Sequence, residues 1–403
     1  MKIIKYTIII LSTLLLAWII PGIYHLMTDK SMDLPFACYS SVEKAFCTID
    51  VRGKHNTVRK NVNTGMIYTQ SEFDSILPMF YIKQLLSDTR FPESINGKAV
   101  NGKEARKKIF YLSYNPTEKR SPGIPLYSLL ESSSGRVKLK MPGDVFRINS
   151  KIEFIDPETN MVIRKKSDLF MKAFVHSDFV FPAREVYGSS FTRKAYDEGY
   201  LILDNIGQVF HLKMVRGKPM LKNIGLPKDM KVAYIVRMEP EDKSFYAFMF
   251  DDQNRMYLIT TDGYRIQELK TPKFDLDTDR LTVMANPLFW TVSVISSLGK
   301  ESYALEAQSK QLVDSISLML PPSTDYVLSY GLPFEISFTS PNSKYVSPII
   351  HFAKVGVLVT NVLFTILYCF LMYYRQKPYG IYSLIWIMLT GFFGFIPALI
   401  ITD

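Results

Sequence analysis

The stretch Val355–Thr402 decides how the chain is organised, and it reads VGVLVTNVLFTILYCFLMYY-RQKPY-GIYSLIWIMLTGFFGFIPALIIT. Two uncharged runs, Val355–Tyr374 and Gly380–Thr402, lie on either side of the polar break Arg375–Tyr379. A helix rises about 1.5 Å per residue, so each run of about twenty residues can cross roughly 30 Å of hydrocarbon. The short break leaves no room for a folded domain. The stretch therefore predicts a transmembrane hairpin whose two ends lie on the same side of a membrane.

A third apolar segment lies at the N-terminus. Lys2 and Lys5 precede Tyr6–Thr28, which carries no charge. Its length and the lack of a small-residue cleavage site favour an uncleaved anchor, with a cleaved signal peptide as the alternative. The sequence therefore predicts three transmembrane helices, at 6–27, 350–374 and 380–401.

Basic residues near the ends of membrane spans mark the cytoplasmic side. Lys2 and Lys5 lie before the first predicted span, and Arg375 and Lys377 lie between the second and third. We therefore expect a protein of the inner (cytoplasmic) membrane with a cytoplasmic N-terminus. The large middle region, 29–347, is then periplasmic or otherwise extracytoplasmic, and the membrane itself is a partner.

Composition limits the classes of function. The net charge is +10 and the hydrophobic fraction is 47%, an average over two very apolar ends and a polar middle. The middle, of roughly 320 residues, is long enough for one large or two smaller hydrophobic cores. Its Lys and Arg residues are dispersed and accompany no recognised motif, so no nucleic-acid partner is expected.

The exported middle divides into a mixed α/β region, 29–136, and a β-rich region, 137–345. Apolar residues recur every three or four positions in Ser71–Asp88, which predicts an amphipathic helix. Pro78 is expected to kink that helix or delay its start. A second, short helix is predicted at Gly123–Ser132.

The β-rich region consists of apolar runs separated by polar turns, which predicts a series of antiparallel hairpins. Three hairpins carry a tyrosine near the start, at Tyr200, Tyr246 and Tyr303, with gaps of roughly 45 and 55 residues, near the spacing of propeller blades. The fold class predicted is a membrane-anchored α+β protein with three transmembrane helices and a large β-rich, propeller-like exported region. A β-sandwich and an irregular antiparallel sheet are the alternatives to the propeller.

Three cysteines are present, and two lie close together in the exported region. An oxidising exterior favours a disulfide between Cys38 and Cys47. Their spacing in sequence does not show that the side chains face each other, so two free thiols remain the alternative. Cys369 lies within the second predicted span, where we expect it to pack as a small apolar residue.

The chain contains no recognised motif for catalysis or metal binding. The five histidines have no metal-ligand spacing, and there is no phosphate-binding glycine loop, no Gly-x-Ser-x-Gly and no zinc motif. Asp275–Asp279 resembles the start of a calcium loop, but Arg280 and Asn286 occupy the positions that need glycine and glutamate. The sequence therefore predicts no catalytic, cofactor-binding or metal-ligating residue and no cofactor.

The third predicted span contains two glycines, Gly391 and Gly394, on one helical face. Small residues let another helix approach closely in a membrane. The two glycines are therefore candidate helix-packing residues. The partner is either another span of this chain or a separate permease.

Two parts of the chain have a distinctive sequence: Glu153–Asp156, and Tyr196–Tyr200 together with Gly207–Lys213. With the terminal spans, they resemble an uncharacterised bacterial family of membrane-anchored proteins of unknown function. The resemblance implies that the protein is encoded beside ABC-transporter components, as members of that family often are. It carries over no catalytic or binding residue.

The function expected from these observations is a non-enzymatic accessory subunit of an ABC-type transport complex, with the terminal spans docked on a permease. A module that binds or senses envelope components is one alternative, and a membrane-tethered envelope enzyme is another. A cleft lined by converging ionisable side chains would favour the enzyme. An unoccupied small-residue face on the spans would favour the accessory subunit.

Overall fold

The computed structural model describes residues 2–28, 34–51, 56–133, 135, 137–320, 331–340, 342–353 and 356–401. They form two compact units. The terminal unit lies within Met1–Asp33, Arg120–Pro122 and Leu320–Asp403, and the β unit consists of Leu34–Lys119 and Gly123–Met319.

Helices are numbered along the chain. They are α1 (Lys2–Thr28), α2 (Gln70–Ile76), α3 (Ile82–Ser87), α4 (Gly102–Lys107), α5 (Pro116–Lys119), α6 (Arg164–Val175), α7 (Val357–Tyr374), α8 (Ile381–Thr390) and α9 (Phe392–Ile400).

Strands are numbered in the same way. They are β1 (Phe36–Ser40), β2 (Ala45–Val51), β3 (Thr57–Asn61), β4 (Ser94–Ile95), β5 (Lys98–Ala99), β6 (Phe110–Tyr114), β7 (Val145–Ile148), β8 (Ile152–Asp156), β9 (Met161–Val162), β10 (Glu185–Gly188), β11 (Tyr200–Leu203), β12 (Val209–Val215), β13 (Lys218–Asn223), β14 (Val232–Arg237), β15 (Phe245–Asp251), β16 (Met256–Thr260), β17 (Ile266–Leu269), β18 (Arg280–Ala285), β19 (Phe289–Ser296), β20 (Gly299–Glu306), β21 (Leu312–Met319), β22 (Phe334–Ser337) and β23 (Ile349–Phe352).

The terminal unit contains two helices that are long and apolar enough to cross a membrane, Ile3–Thr28 and Val357–Tyr374. The predicted start of the second span, residue 350, is wrong. Ile349–Phe352 pairs with Phe334–Ser337 as an antiparallel hairpin, so the helix begins only at Val357.

The prediction of one continuous helix over 380–401 is also wrong. Gly391 has φ +53°, a conformation that residues with a Cβ rarely adopt, and it separates α8 from α9. The Asn361 amide nitrogen on α7 donates to the Met388 carbonyl oxygen at 3.0 Å, beside this interruption. Asn361 thereby satisfies a carbonyl group near the end of α8, where the helix leaves carbonyls without partners.

The β unit contains three consecutive four-stranded antiparallel meanders. The first meander is β10–β13, the second is β14–β17 and the third is β18–β21. Their first strands begin at Glu185, Val232 and Arg280, a regular spacing of 47 and 48 residues. This regularity supports the propeller-like prediction at the level of a blade-sized repeat, although the described sheets form no closed ring.

The meanders pack face to face, and two smaller sheets extend the row. One buried cluster joins β7–β9 and α6 to the first meander, and another joins the first meander to the second. Further clusters join the second meander to the third, and the third to β1–β3. Each meander therefore has neighbours on both faces, which explains why every residue of β15 is buried.

The predicted hairpins are present, but the tyrosine repeat is not structurally regular. Tyr200 and Tyr246 lie in the second strands of their meanders, whereas Tyr303 lies in the third strand of its own. The repeat in the structure thus follows strand order rather than tyrosine position.

Two predicted helices in the mixed region are wrong. Ser71–Asp88 folds as α2 and α3, which are separated around Pro78 because proline lacks the amide hydrogen that a helix interior needs. Gly123–Ser132 forms no helix. Tyr127 instead exchanges backbone hydrogen bonds of 2.8 and 2.7 Å with Phe146, which holds this segment extended.

The predicted boundary between 29–136 and 137–345 does not divide the β unit. Strand β6 pairs with β18, with Tyr114 opposite Leu281, so residues from the first predicted region complete the sheet of the third meander. The described residues of 320–345, namely 320, 331–340 and 342–345, belong to the terminal unit.

Candidate functional site

A cleft of about 790 Å³ opens in the β unit, a volume within the usual range of ligand sites. Its walls come from β1, from the segment between α2 and α3, from the start of β6 and from the end of β18. The lining residues are Phe36, Cys38, Tyr39, Ser41, Leu77, Met79, Phe80, Tyr81, Ile82, Lys83, Gln84, Arg106, Ile109, Phe110, Tyr111, Glu241, Met284, Ala285 and Asn286. We call this the aromatic cleft.

Aromatic side chains in the cleft are left open to solvent. Phe80 is 45% exposed and Tyr111 is 58% exposed, although both are large and apolar. Phe80 contacts Phe36 and Tyr81, with ring centroids 5.3 and 4.8 Å apart. The break at Pro78 puts Phe80 outside both helices, so it forms part of the cleft wall instead of the core. These rings offer flat apolar area to a bound molecule.

Charged side chains stand among these rings. Lys83 on α3 and Arg106 on α4 are both exposed, and neither forms an ion pair with any other described residue. Glu241 contributes a carboxylate to the same lining. The cleft therefore combines apolar area with cationic groups whose hydrogen-bonding capacity is unused within the described chain.

Cys38 also lines the cleft, and Cys47 lies directly opposite it in the pairing of β1 with β2. Directly opposed residues of an antiparallel pair have Cα atoms about 4.5–5.5 Å apart, a range that admits a disulfide. The structure holds both as buried thiols, so the disulfide stays a prediction. Burial raises the pKa of each thiol to about 12, and a thiol with such a pKa is a poor nucleophile at neutral pH.

Two of the distinctive sequence segments, Tyr196–Tyr200 and Gly207–Lys213, meet elsewhere, between the first and second meanders. His211 on β12 is fully buried. Its Nε2 donates to the Glu198 carbonyl oxygen, and its Nδ1 accepts from the Tyr264 hydroxyl at 2.8 Å. Burial, reinforced by Arg237, lowers the pKa of His211 to about 3, so the ring is neutral at physiological pH. We call these side chains and their partners the polar network.

Arg237 forms the centre of the polar network. It donates to the carbonyl oxygens of Tyr246 at 2.9 Å and Gly199 at 3.4 Å, and it lies 3.7 Å from the Glu239 carboxylate. Burial lowers the pKa of Arg237, while Glu239 and its acidic neighbours oppose that shift. Only its Nε has no acceptor among the described residues.

Acidic side chains complete the network. Glu239 accepts from Lys194 and from the Glu198 amide nitrogen, the latter at 2.7 Å, and Glu198 pairs with Lys213 at 2.8 Å. The bonds to Glu239 connect the segment between β10 and β11 of the first meander to the second meander. Because almost every polar atom already has a partner, the network fits a role in holding the two sheets together.

The backbone of Tyr196–Tyr200 packs closely against strand β12 at Gly199. Gly199 has φ +63°, and a Cβ added there would overlap the Leu212 carbonyl oxygen and crowd the Lys213 backbone. Only glycine fits this position without displacing strand β12.

The two glycines predicted for helix packing have different neighbours. A Cβ on Gly391 would overlap the Asn361 side chain of α7, whereas one on Gly394 would overlap Thr390 of the preceding turn. The space beside Gly391 is therefore occupied by a side chain of α7, a helix of the same unit. Docking of this face on a permease stays a prediction.

Sequence patterns did not indicate the cleft residues. The predicted helix over Ser71–Asp88 includes Phe80, so its pattern does not indicate a cleft wall there, and Arg106 and Glu241 belong to no motif. The signal that existed was Pro78, which breaks the helix. Within the described residues, no group of three or more His, Cys, Asp or Glu side chains could hold a metal ion.

Comparison with known proteins identifies the sequence family. The model of a domain of unknown function (DUF4857) matches residues 36–305. No curated protein sequence matches the chain.

Similar solved structures include the Dos1 propeller, which is 11% identical, with 48% of each chain covered and a TM-score of 0.27. The Cps50 (Swd1) β-propeller domain of Myceliophteria thermophila is 10% identical, with 73% of this chain and 89% of that chain covered and a TM-score of 0.23. The N-terminal domain of Nup159 is 10% identical, with 58% and 57% covered and a TM-score of 0.25. The chain spans about half the length of the first of these structures. At such TM-scores these similarities carry no assignment of function.

Proposed function

The chain belongs to the DUF4857 family, whose function is unknown, and we propose that it is a membrane-anchored, non-enzymatic accessory subunit of a transport complex. The aromatic cleft is the surface through which the β unit binds its partner. The observation that carries this proposal is the cleft itself, a cavity of about 790 Å³. It brings together exposed rings and two cations that have no ionic partner among the described residues.

Binding accounts for the cleft better than catalysis does. A general base or nucleophile needs a pKa near the working pH. The thiol in the lining, Cys38, has its pKa raised to about 12. The neutral histidine, His211, is enclosed in the polar network and is no part of the cleft lining. Aromatic area with a few polar groups is the usual composition of a binding site.

The apolar helices support the anchoring part of the proposal. Helices α1 and α7 have the length and composition of spans. We propose that α8 and α9 together form a third, interrupted crossing, since non-helical backbone is tolerated in a bilayer where protein covers it, as Asn361 does here. Arg375 and Lys377 then lie on the cytoplasmic side and the β unit lies outside.

The transport part of the proposal draws on the family resemblance, which implies a position beside ABC-transporter components. A permease is the membrane partner that such a subunit would need. A module that binds envelope components is the second candidate, and the volume of the cleft favours it because a drug-sized molecule would also fit.

Purification of the full chain from its native membranes in mild detergent tests the proposal. The double substitution Phe80→Ala and Tyr111→Ala removes the exposed rings of the cleft, and Phe191→Ala removes a ring of similar exposure that does not line it. We expect an ABC permease to accompany the wild-type chain and the Phe191→Ala control. Recovery of the permease should fall at least tenfold with the double variant.

Two results would contradict the proposal. If no transporter component accompanies the wild-type chain, the accessory role is wrong. If the double variant retains the permease as well as the control does, the cleft is not the docking surface, and a small envelope ligand becomes the better candidate for it.

A further inference from the structure

Strand β6 has an open edge beside the aromatic cleft. It is the outermost strand of its five-stranded sheet: one side pairs with β18, and no described strand pairs with the other side. Among the described residues, no backbone group of Phe110–Ser113 forms a hydrogen bond outside the pairing with β18. An unpaired edge is a ready template for another extended chain.

The other edges of the larger sheets are protected. Natural proteins protect edge strands with charges, prolines, bulges, short length or covering bonds, and each of these devices is present here. Charged residues lie in five edge strands: Arg59 and Lys60 in β3, Arg147 in β7, Glu185 in β10, Glu268 in β17 and Asp314 in β21. Strand β13 contains Pro219, β14 has a register shift at Val232, and β9 is only two residues long. In β1, the Tyr39 amide donates a hydrogen bond to Thr291 Oγ1.

Within the described part of the chain, none of these devices is found on Phe110–Ser113 of strand β6. Its sequence is FYLSY, without charge or proline, and its register with β18 is unbroken from Phe110 to Tyr114. The described residues leave this edge unprotected while the other edges are protected. Such an edge is expected where another strand pairs with it in the working protein.

The open edge runs into the cleft. Phe110 and Tyr111 belong to the strand and also line the cleft, and Met284, opposite Tyr111 in the pairing, lines it too. Side chains of an added strand would alternate between the two faces of the sheet. One face of the added strand would therefore direct its side chains toward the rings of Tyr111 and Phe80.

The charges that line the cleft favour an acidic bound segment over a basic one. Lys83 and Arg106 bring two exposed cations to the lining, against one carboxylate from Glu241. A carboxylate on the bound segment would pair with these cations. A basic segment would meet repulsion from them.

We propose that the edge of β6 binds an extended peptide segment of a partner protein, which adds to the sheet as a further strand. The segment places an apolar side chain in the aromatic cleft and a carboxylate near Lys83 and Arg106. This inference rests on the proposed function, because it names the chemistry of the partner at the same cleft. Backbone hydrogen bonds supply affinity in such strand addition, and the side-chain pockets supply specificity.

Synthetic peptides test the backbone part of the proposal. Peptides selected from a random displayed library against the full chain in detergent are labelled, and their binding is measured by fluorescence anisotropy. Each is compared with an analogue N-methylated at every second residue, since N-methylation removes the amide hydrogens that strand addition uses. We expect at least tenfold weaker binding of the analogue that is methylated on the edge-facing residues, and selected sequences enriched in apolar and acidic residues.

A matched pair of variants locates the binding site. Ser113→Lys introduces a charge on the exposed edge strand β6, and Ser315→Lys introduces the same charge on β21, at the opposite edge of the same sheet. Both positions are exposed, so the melting temperature should not change. Peptide binding should weaken at least tenfold with Ser113→Lys and stay at the wild-type level with Ser315→Lys.

Several results would overturn the inference. One is a selection that yields no peptide sensitive to N-methylation, and another is equal binding by the two lysine variants. A third is a dimer of the wild-type chain, seen by sedimentation velocity, that Ser113→Lys dissociates, because the edge would then be occupied by a second copy. If Ser113→Lys retains the permease while Phe80→Ala with Tyr111→Ala loses it, the proposed function stands and strand addition alone fails.

Discussion

The aromatic cleft and the polar network both combine aromatic and charged residues of the β unit, but they differ in whether their polar groups already have partners within the chain. In the network, His211, Arg237 and Glu239 are buried or nearly so, and their hydrogen bonds end on other parts of the chain. In the cleft, Lys83 and Arg106 are exposed and have no ionic partner among the described residues.

The difference shows that a distinctive sequence segment need not mark a site. Tyr196–Tyr200 and Gly207–Lys213 are the most recognisable stretches of the chain, and the structure uses them to join two sheets. Unused hydrogen-bonding capacity and exposed aromatic area are found in the cleft, whose residues carry no motif. Function is therefore better sought where the chain has left its polar groups unpaired.

The largest effect is expected from Gly199→Ala in the polar network. The added Cβ overlaps the Leu212 carbonyl oxygen and also forces a positive φ on alanine, so we expect a loss on the order of 4 kcal/mol in the free energy of unfolding. The midpoint of thermal unfolding of the full chain in detergent should then fall by about 10 °C.

Gly207→Ala is the matched control for that substitution. Gly207 also has a positive φ, +91°, but nothing lies within 4 Å of its added Cβ, so only backbone strain of about 1 kcal/mol is expected. Equal melting of the two variants would show that the packing against β12 is not tight.

A pH effect of intermediate size is expected from His211. Its pKa in the folded protein, about 3, lies below the value of roughly 6.5 in the unfolded chain, so the unfolded state binds more protons between these values. The contribution of His211 to the free energy of unfolding is fully present above pH 6.5 and falls as the pH drops. The loss is about 1.4 kcal/mol per pH unit, or about 3 kcal/mol between pH 6.5 and 4.5.

Replacing His211 separates its contribution to the pH dependence of stability from the contribution of the carboxylates. The variant His211→Gln should be less stable than the wild type at pH 7 but should lose less on acidification from pH 6.5 to 4.5. His176→Gln, at an exposed histidine, should follow the wild-type pH dependence. Parallel curves for the wild type and His211→Gln would mean that folding does not lower the pKa of His211.

The smallest effect on stability is expected in the cleft. Because Phe80 and Tyr111 are already about half exposed, their replacement by alanine should cost about 1 kcal/mol or less each. Phe154→Ala, at a fully buried ring, should cost about 3–5 kcal/mol. If Phe80→Ala destabilises the chain as strongly as Phe154→Ala, the wall of the cleft is part of the core and the contrast between the two regions fails.

Local patterns in the sequence predicted much of the fold. Alternation and turn residues predicted hairpins such as Tyr200–Asp204 with Gln208–Lys213, and uncharged length predicted the apolar helices α1 and α7. These features depend on neighbours in sequence, so a periodic pattern records them.

Features that depend on distant contacts were not predictable. Strand β6 pairs with β18, with Tyr114 and Leu281 opposite each other, and no local pattern encodes such a pairing. The cleft collects residues from Phe36 to Asn286, and the exposure of Phe80 follows from how the chain continues after Pro78. The break at Gly391 depends on Asn361 of another helix.

The most direct test of the central claim compares the two regions in one experiment. Hydrogen–deuterium exchange of the full chain would be measured by mass spectrometry, alone and in the complex purified from native membranes. We predict slower exchange in the complex for residues 79–84 and 106–113, which form the cleft and the edge of β6, and unchanged exchange for residues 196–200 and 208–213 of the polar network. Slower exchange confined to the network segments, with the cleft unaffected, would contradict the account.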